Sequence, residues 1–302
     1  MIAEPFSLPG RFWRGNLHTH STLSDGARPV AAVVGYYKRA GYDFLMLSDH
    51  FLERFDYPIT DTRPFRDETF TTILGAEIHA PAIGTGEMWH MVAAGLPLDF
   101  IPTSGTETGA ELAARAADAG AFIGLAHPAW YHLSLEDAHS IQSAHAIEIY
   151  NHGSALYSDR GDGFYLLDQL LAEGRHLSGF ASDDAHFVHG DDGAGGWIMV
   201  RTEELDPDAL VEALKKGQYY SSQGPAIRRI VIENDTAIVT CTPAKAVVAT
   251  GYSSRSSRVL GAGITEARLP LSVFDNAYCR ITVTDSFGRR AWTNPIWLND
   301  LH

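Results

Sequence analysis

Over roughly residues 1–220, short apolar runs alternate with stretches whose apolar positions share one helical face. Four times a helix-like segment ends in glycine and a strand-like run follows almost at once. These are KRAGYDFLMLSD at Gly41, DAGAFIGLAH at Gly120, AEGRHLSGFASD at Gly174 and KKGQYYSS at Gly217. Glycine just past a helix takes up the left-handed conformation that ends it. Helix starts are legible as well: Asp206 reads as an N-cap with Pro207 behind it, and Pro29 opens PVAAVVGYYKRA. Strands that alternate with helices predict parallel pairing and an α/β architecture. From about Pro225 the texture changes. IRRIVIE, TAIVTCT, AKAVVATG, CRITVTD and AWTNPIWL are rich in β-branched and aromatic residues, and turn residues separate them. They predict a small antiparallel, sandwich-like β domain over residues 225–302, after a larger unit over 1–224. A unit that small is marginal alone, so it is expected to pack on the larger one.

Composition narrows the function classes. An apolar share of 45% in 302 residues suits an ordinary globular protein and argues against disorder. The net charge is −14, with only four lysines and no basic run beyond two residues. Duplex nucleic acid and anionic membranes are bound by clustered Lys and Arg, so neither is an expected partner. A small anionic substrate held by metal ions remains open. Two cysteines, Cys241 and Cys279, are too few for a disulfide framework or a thiolate metal site. MIAEPFSLPGRFWRG lacks the pattern of a secretory signal, and no run reaches the roughly 18 apolar residues of a membrane span. A cytoplasmic location is the expectation; the oligomeric state is not legible.

Histidine is the unusual feature. Thirteen of the 14 lie between His18 and His189. In Asn16-Leu17-His18-Thr19-His20 the two imidazoles sit at i and i+2, on one face of a strand end, and Asp25 follows in a Ser-Asp-Gly turn. The run FLMLSDH ends in Asp49 and His50, and ILGAEIH ends in Glu77 and His79. His90 precedes an apolar run, FIGLAHP ends in His127, and GFASDDAH ends in Asp183, Asp184 and His186. Each segment alone has a plain structural reading: a surface pair, an N-cap, a hydrogen-bonded core histidine. Together, five apolar strand runs end in His, Asp or Glu, and in parallel sheets functional groups gather at the carboxyl ends of strands. Imidazole and carboxylate donors without thiolate suit Zn²⁺, Mn²⁺ or Fe²⁺.

The segments HTHSTLSDG, LSDH, GAEI, WH, AHP and SDDAH resemble, in order, the motifs of the PHP (polymerase and histidinol phosphatase) metal-dependent hydrolases, across about residues 14–220. LVEALKKGQYYSSQGP and TVTDSFGRRAWTNPIWL resemble the CehA/McbA-type subgroup, with its C-terminal β domain. The resemblance implies a distorted (β/α)7 TIM-like barrel carrying two to three divalent ions (Mn, Zn or Fe). It implies His18, His20, Glu77 and Asp184 around one ion, Glu77, His90 and His127 around a second with Glu77 as the bridge, and Asp25, His50 and His186 around a third. Asp49 and Asp183 would orient ligand imidazoles.

The implied activity is hydrolysis of a small phosphorylated substrate through a metal-bridging hydroxide, with Glu77 and Asp184 essential to catalysis. The rival activity is hydrolysis of a carboxylic or carbamate ester by the same cluster. His79, on the face of Glu77, and His152 are the candidates to protonate a leaving oxygen. Asn151 and His152, just past the run AIEIY, and Arg28 and Arg160 are candidates for substrate contact. His132, His139, His145, His176 and His189 match no motif.

Overall fold

The computed structural model describes residues 1–275 and 277–301. Eleven strands alternate with six helices in the first two-thirds of the chain. The strands are β1 (Arg11–Asn16), β2 (Phe44–Met46), β3 (His50–Phe51), β4 (Thr71–Ile73), β5 (Gly75–Ile78), β6 (Met91–Ala94), β7 (Phe122–Leu125), β8 (Ala146–Asn151), β9 (Ser178–Ser182), β10 (Trp197–Thr202) and β11 (Tyr219–Ser222). The helices are α1 (Val30–Arg39), α2 (Gly109–Asp118), α3 (Leu135–Ser140), α4 (His152–Ser158), α5 (Phe164–Ala172) and α6 (Pro207–Lys215). The glycines expected to end helices follow α1, α2, α5 and α6, with φ of 78°, 100°, 85° and 68°. Asp206 caps α6 by accepting from the N–H groups of Asp208 and Ala209. No helix among the described residues is long and apolar enough to cross a membrane.

The ladders form two sheets and, among the described residues, do not close into one barrel. The smaller runs β3-β5-β6-β7-β8-β9. The expectation of parallel pairing holds for β3–β5, β7–β8 and β8–β9 but fails at β6, which is antiparallel to β5 and to β7. Parallel neighbours need a crossover, usually a helix, and no helix lies between β5 and β6. The start of β6 therefore lies beside the carboxyl ends of β5 and β7. In the larger sheet β1, β2 and β4 are parallel, and β10 runs antiparallel to β1. The chain passes from β4 to β5 through Leu74. At the other end, the Ser221 hydroxyl of β11 donates to the Gly179 carbonyl and accepts from Ala181 N–H, both on β9.

One apolar cluster draws on both sheets: Phe44, Met46 and Ile73 from one, Val92, Phe122 and Phe180 from the other, with Leu210 and Leu214 of α6. Gly124 is required here, since a Cβ would come within 2.5 Å of the Phe180 ring. Strands β12 (Ile227–Glu233), β13 (Thr236–Gly251), β14 (Ser256–Pro270), β15 (Tyr278–Thr284), β16 (Arg290–Thr293) and β17 (Ile296–Trp297) continue the larger sheet through the antiparallel pair β11–β16. They have their own core, including Ile230, Val247, Phe274 and Ile281, and the N-terminal residues Ala3 and Phe6 join it. Cys241 and Cys279 are buried there and unpaired.

Candidate metal centre

Asn16, at the end of β1, ties that strand to β9. Its side-chain N–H donates to the His18 carbonyl at 2.8 Å, and its Oδ1 accepts Asp183 N–H at 3.0 Å. Asp184 N–H donates to the His18 carbonyl, and His20 N–H to that of Ala185. The alternation of an extended chain then turns both His18 and His20 to the rim. His50 lies opposite Glu77 in the parallel pair of β3 and β5. His90 reaches the same rim because β6 is reversed, and His127 and Asp184–His186 follow β7 and β9. His127 and Asp184 have positive φ, 23° and 53°. Such values in residues with a Cβ are strained and cluster at functional sites.

Glu77 is the hub and is fully buried. Its Oε1 lies 2.7 Å from His90 Nδ1 and 3.2 Å from His127 Nε2. Its Oε2 lies 2.6 Å from His50 Nδ1, 3.6 Å from His18 Nε2 and 3.7 Å from His20 Nε2 and His79 Nε2. Asp184 Oδ1 lies 3.1 Å from His20 Nε2 and 3.2 Å from His18 Nε2. Asp25 lies 3.3 Å from both His50 and His186. Five overlapping groups of possible ligand atoms result: His20–Asp25–His50–His186, His18–His127–Asp184, His18–His20–Glu77, His50–Glu77–His79 and Glu77–His90–His127. They contain all nine side chains expected to hold ions and add His79.

The electrostatics follow from this crowding. Burial alone would raise Glu77 and Asp184, but the imidazoles around them hold both well below the ordinary carboxylate range. Burial alone would lower His50 and His186; Glu77 and Asp25 lift His50 to about 10, and Asp25 and Asp184 lift His186 to about 9. His20, buried beside His186 and His50, falls to about 4. Divalent ions fit the donor set. His18 Nε2 and Glu77 Oε2 are buried and, despite their close neighbours, aligned in no hydrogen bond; His127 Nδ1 has no partner either. Buried polar atoms without partners are costly, and imidazole–carboxylate clusters of this kind are ligand sets for Zn²⁺, Mn²⁺ or Fe²⁺.

The remaining expected residues lie elsewhere in the design. Asp49 accepts from Ser21 N–H, the Ser21 hydroxyl and the Ser24 hydroxyl. It reaches His20 only through Ser24, whose Oγ is 3.5 Å from His20 Nδ1. Asp183 touches no imidazole; it accepts from the Tyr37 hydroxyl and from the N–H groups of Ala194, Gly195 and Gly196. Both nitrogens of His79 face protein, Nδ1 on the Trp89 carbonyl at 3.0 Å and Nε2 on His50 at 2.9 Å, so it offers no free acid. Asn151 is buried rather than substrate-facing: its Oδ1 caps α4 at Ser154 N–H, and its Nδ2 donates to Asp184 Oδ2 at 3.1 Å. Because α4 begins at once, the His152 ring turns to the Tyr150 hydroxyl (2.9 Å) and sits where a Cβ on Gly195 would strike it. Arg28 pairs with Asp191 over the Phe187 ring, away from the cluster. Arg160 donates to the Trp130 carbonyl. His302 lies outside the described residues.

The cluster floors a cleft of about 200 Å³ whose other walls are Leu52, Arg54, Met88 and Trp130. The Arg54 guanidinium stacks over Phe55 at 4.6 Å and has no carboxylate partner among the described residues. Sequence reasoning missed Arg54, Trp130 and Glu148. Glu148 carries the one signal that could have been read, a lone acid inside the buried run Ala146–Ile149.

No family model and no curated protein matches the chain. Solved structures do. A two-domain protein from Bacteroides vulgatus, containing a predicted PHP-like metal-dependent phosphoesterase, has a TM-score of 0.55 at 16% identity, over 92% of this chain and 93% of that one. An amidohydrolase from Chromobacterium violaceum, with bound sulfate and no metal, has a TM-score of 0.42 at 14% identity, over 68% of this chain and 96% of that one. At these identities the likeness to the first is one of fold, and the fold is PHP-like.

Proposed function

We propose that the protein is a metal-dependent hydrolase acting on a small phosphorylated substrate. The observation that carries this reading is Glu77, a fully buried carboxylate ringed by six imidazoles, four of which (His50, His79, His90 and His127) line a cleft that also presents the unpaired Arg54. His18, His20, Glu77 and Asp184 would hold one ion, Glu77, His90 and His127 a second, and Asp25, His50 and His186 a third. When bound, the ions supply Lewis acidity, which activates water near neutral pH and neutralises charge on the reacting group.

The chain's own residues do the rest. Arg54 meets an anionic group at the rim, where a guanidinium recognises phosphate oxygens. Trp130 and Met88 narrow the access of bulk water. Asn151 and the left-handed backbone hold Asp184 turned inward. Both nitrogens of His79 face protein, and His152 turns its Nδ1 to Tyr150 and does not line the cleft, so no side-chain acid is assigned to the leaving group. The fold shared with the Bacteroides vulgatus protein supports the reading. A division into a hydrolase unit over residues 1–224 and a β unit over 225–302, of CehA/McbA type, is part of the proposal.

A second reading, hydrolysis of a carboxylic or carbamate ester, is favoured by the apolar wall of Leu52, Met88 and Trp130. One panel separates the two: sugar phosphates and nucleotides beside aryl esters and carbamates, each with Mn²⁺ and with Zn²⁺. Turnover of phosphorylated compounds, with KM raised in Arg54→Met, supports the first. Turnover confined to uncharged esters, indifferent to Arg54→Met, overturns it.

A further inference from the structure

We infer that Glu148 is the positioning residue of the metal centre, fixing three of its ligands at once from behind. The inference rests on the metal-dependent reading of the site. Glu148 is fully buried in β8 and lies outside every ligand group. Four donors converge on its two oxygens. Oε1 faces His18 Nδ1 at 3.1 Å and accepts the Ser182 hydroxyl; Oε2 accepts His127 N–H at 2.6 Å and the Asn151 side-chain N–H at 2.9 Å.

Each contact has a consequence at the centre. A carboxylate oxygen facing Nδ1 at 3.1 Å accepts the N–H of His18 there and leaves the Nε2 lone pair for the cluster. That Nε2 is the buried atom without a hydrogen bond. The bond to His127 N–H pins the backbone at φ 23°, the conformation that directs the imidazole to Glu77. The bond to Asn151 orients an amide whose N–H also holds Asp184 Oδ2, leaving Oδ1 toward His18 and His20. The Asn151 amide cannot flip, because its Oδ1 already accepts Ser154 N–H. His18, His127 and Asp184 together form one of the five ligand groups. Glu148 therefore reaches every member of that group without belonging to it.

The test is Glu148→Gln, which keeps the shape but offers one acceptor and an NH2 to four donors. The readout is Mn²⁺ affinity of the full-length protein, by calorimetry and by competition with a chelator, with circular dichroism as the check of fold. Loss of an outer partner of a metal ligand typically costs roughly 10–100-fold in affinity or activity. A folded Glu148→Gln variant should bind Mn²⁺ that much more weakly, and its kcat should fall while KM changes little. Wild-type Mn²⁺ affinity in the folded variant overturns the inference. Should Glu148→Gln not fold, Asn151→Ala decides: it cuts the link from Glu148 to Asp184, together with the α4 cap at Ser154, and leaves the contacts to His18 and His127; at least a tenfold loss of affinity is expected in the folded variant, whereas wild-type affinity overturns. Weakened Mn²⁺ binding in a protein that turns over nothing on the substrate panel would sink the hydrolase reading and leave the role of Glu148 standing.

Discussion

Glu77→Gln is the substitution on which the centre turns. It replaces a carboxylate that belongs to three of the five ligand groups with a neutral amide of the same shape. The amide turns N–H donors toward imidazole nitrogens that must present lone pairs to an ion. A unit charge pair at about 4 Å is worth about 4 kcal/mol at an effective dielectric of about 20. With a factor of ten for each ~1.4 kcal/mol, a divalent ion in those groups should lose at least about 10³ in affinity. The groups His20–Asp25–His50–His186 and His18–His127–Asp184 stay whole, so some metal should remain. Metal per chain after dialysis, by plasma mass spectrometry, should fall without reaching zero, and turnover should be lost. The metal-free protein should suffer too, because removing one partner of a buried ion pair costs about 3–5 kcal/mol, a fall in melting temperature on the order of 10 °C for a chain this size. A folded Glu77→Gln protein with wild-type metal content and turnover would refute the bridging role.

Asp25 is the most exposed ligand candidate, at 42% of its side chain, and among the other ligand candidates contacts only His20, His50 and His186. Asp25→Asn should therefore release one ion per chain and spare those at Glu77; calorimetry showing an unchanged number of sites would contradict this. Alkaline pH should destabilise the fold. Burial pushes Tyr220, Tyr278 and Cys279 each up to about 12, whereas unfolded tyrosine and cysteine ionise near ~10 and ~8.5. Between about pH 9 and 12 the folded chain keeps protons that the unfolded chain has lost, so the stability present below this window drains away as pH rises through it. Urea midpoints that stay level from about pH 8 to 11 would disprove the effect. Phe180→Ala, which empties the space beside Gly124 and Phe122, should cost about 3–5 kcal/mol in urea unfolding; a loss under about 1 kcal/mol would mean the core closes over the gap.

The centre was legible in the chain because its ligands sit at strand ends, where local spacing carries geometry. His18 and His20 share a face by alternation alone, and His79 does so with Glu77. What needed the structure is long-range. Asn151 and His152 read as rim residues because they follow a strand, but α4 begins at once, and helix capping turns one inward and the other aside. Arg28 looked available until Asp191, 163 positions away, was found against it. His90 precedes its strand instead of following it, and only the reversal of β6 brings it to the rim. Arg54 gives no sequence signal at all, since its role depends on having no partner.

The strained backbone says when the site forms. Left-handed φ in a residue with a Cβ costs roughly 1–2 kcal/mol, and His127 and Asp184 both carry it. Asp184 is held there by its N–H on the His18 carbonyl and by the closely packed backbone of Gly153, whose added Cβ would lie 2.8 Å from the Asp184 carbonyl. Glu148 does the same for His127. Because these contacts lie within the chain, the ligand geometry is expected to persist without an ion, unlike a zinc finger, in which the metal itself folds the chain. Metal should then add stability only by mass action, growing with the logarithm of its concentration over Kd, and the metal-free protein should unfold cooperatively from a native secondary structure.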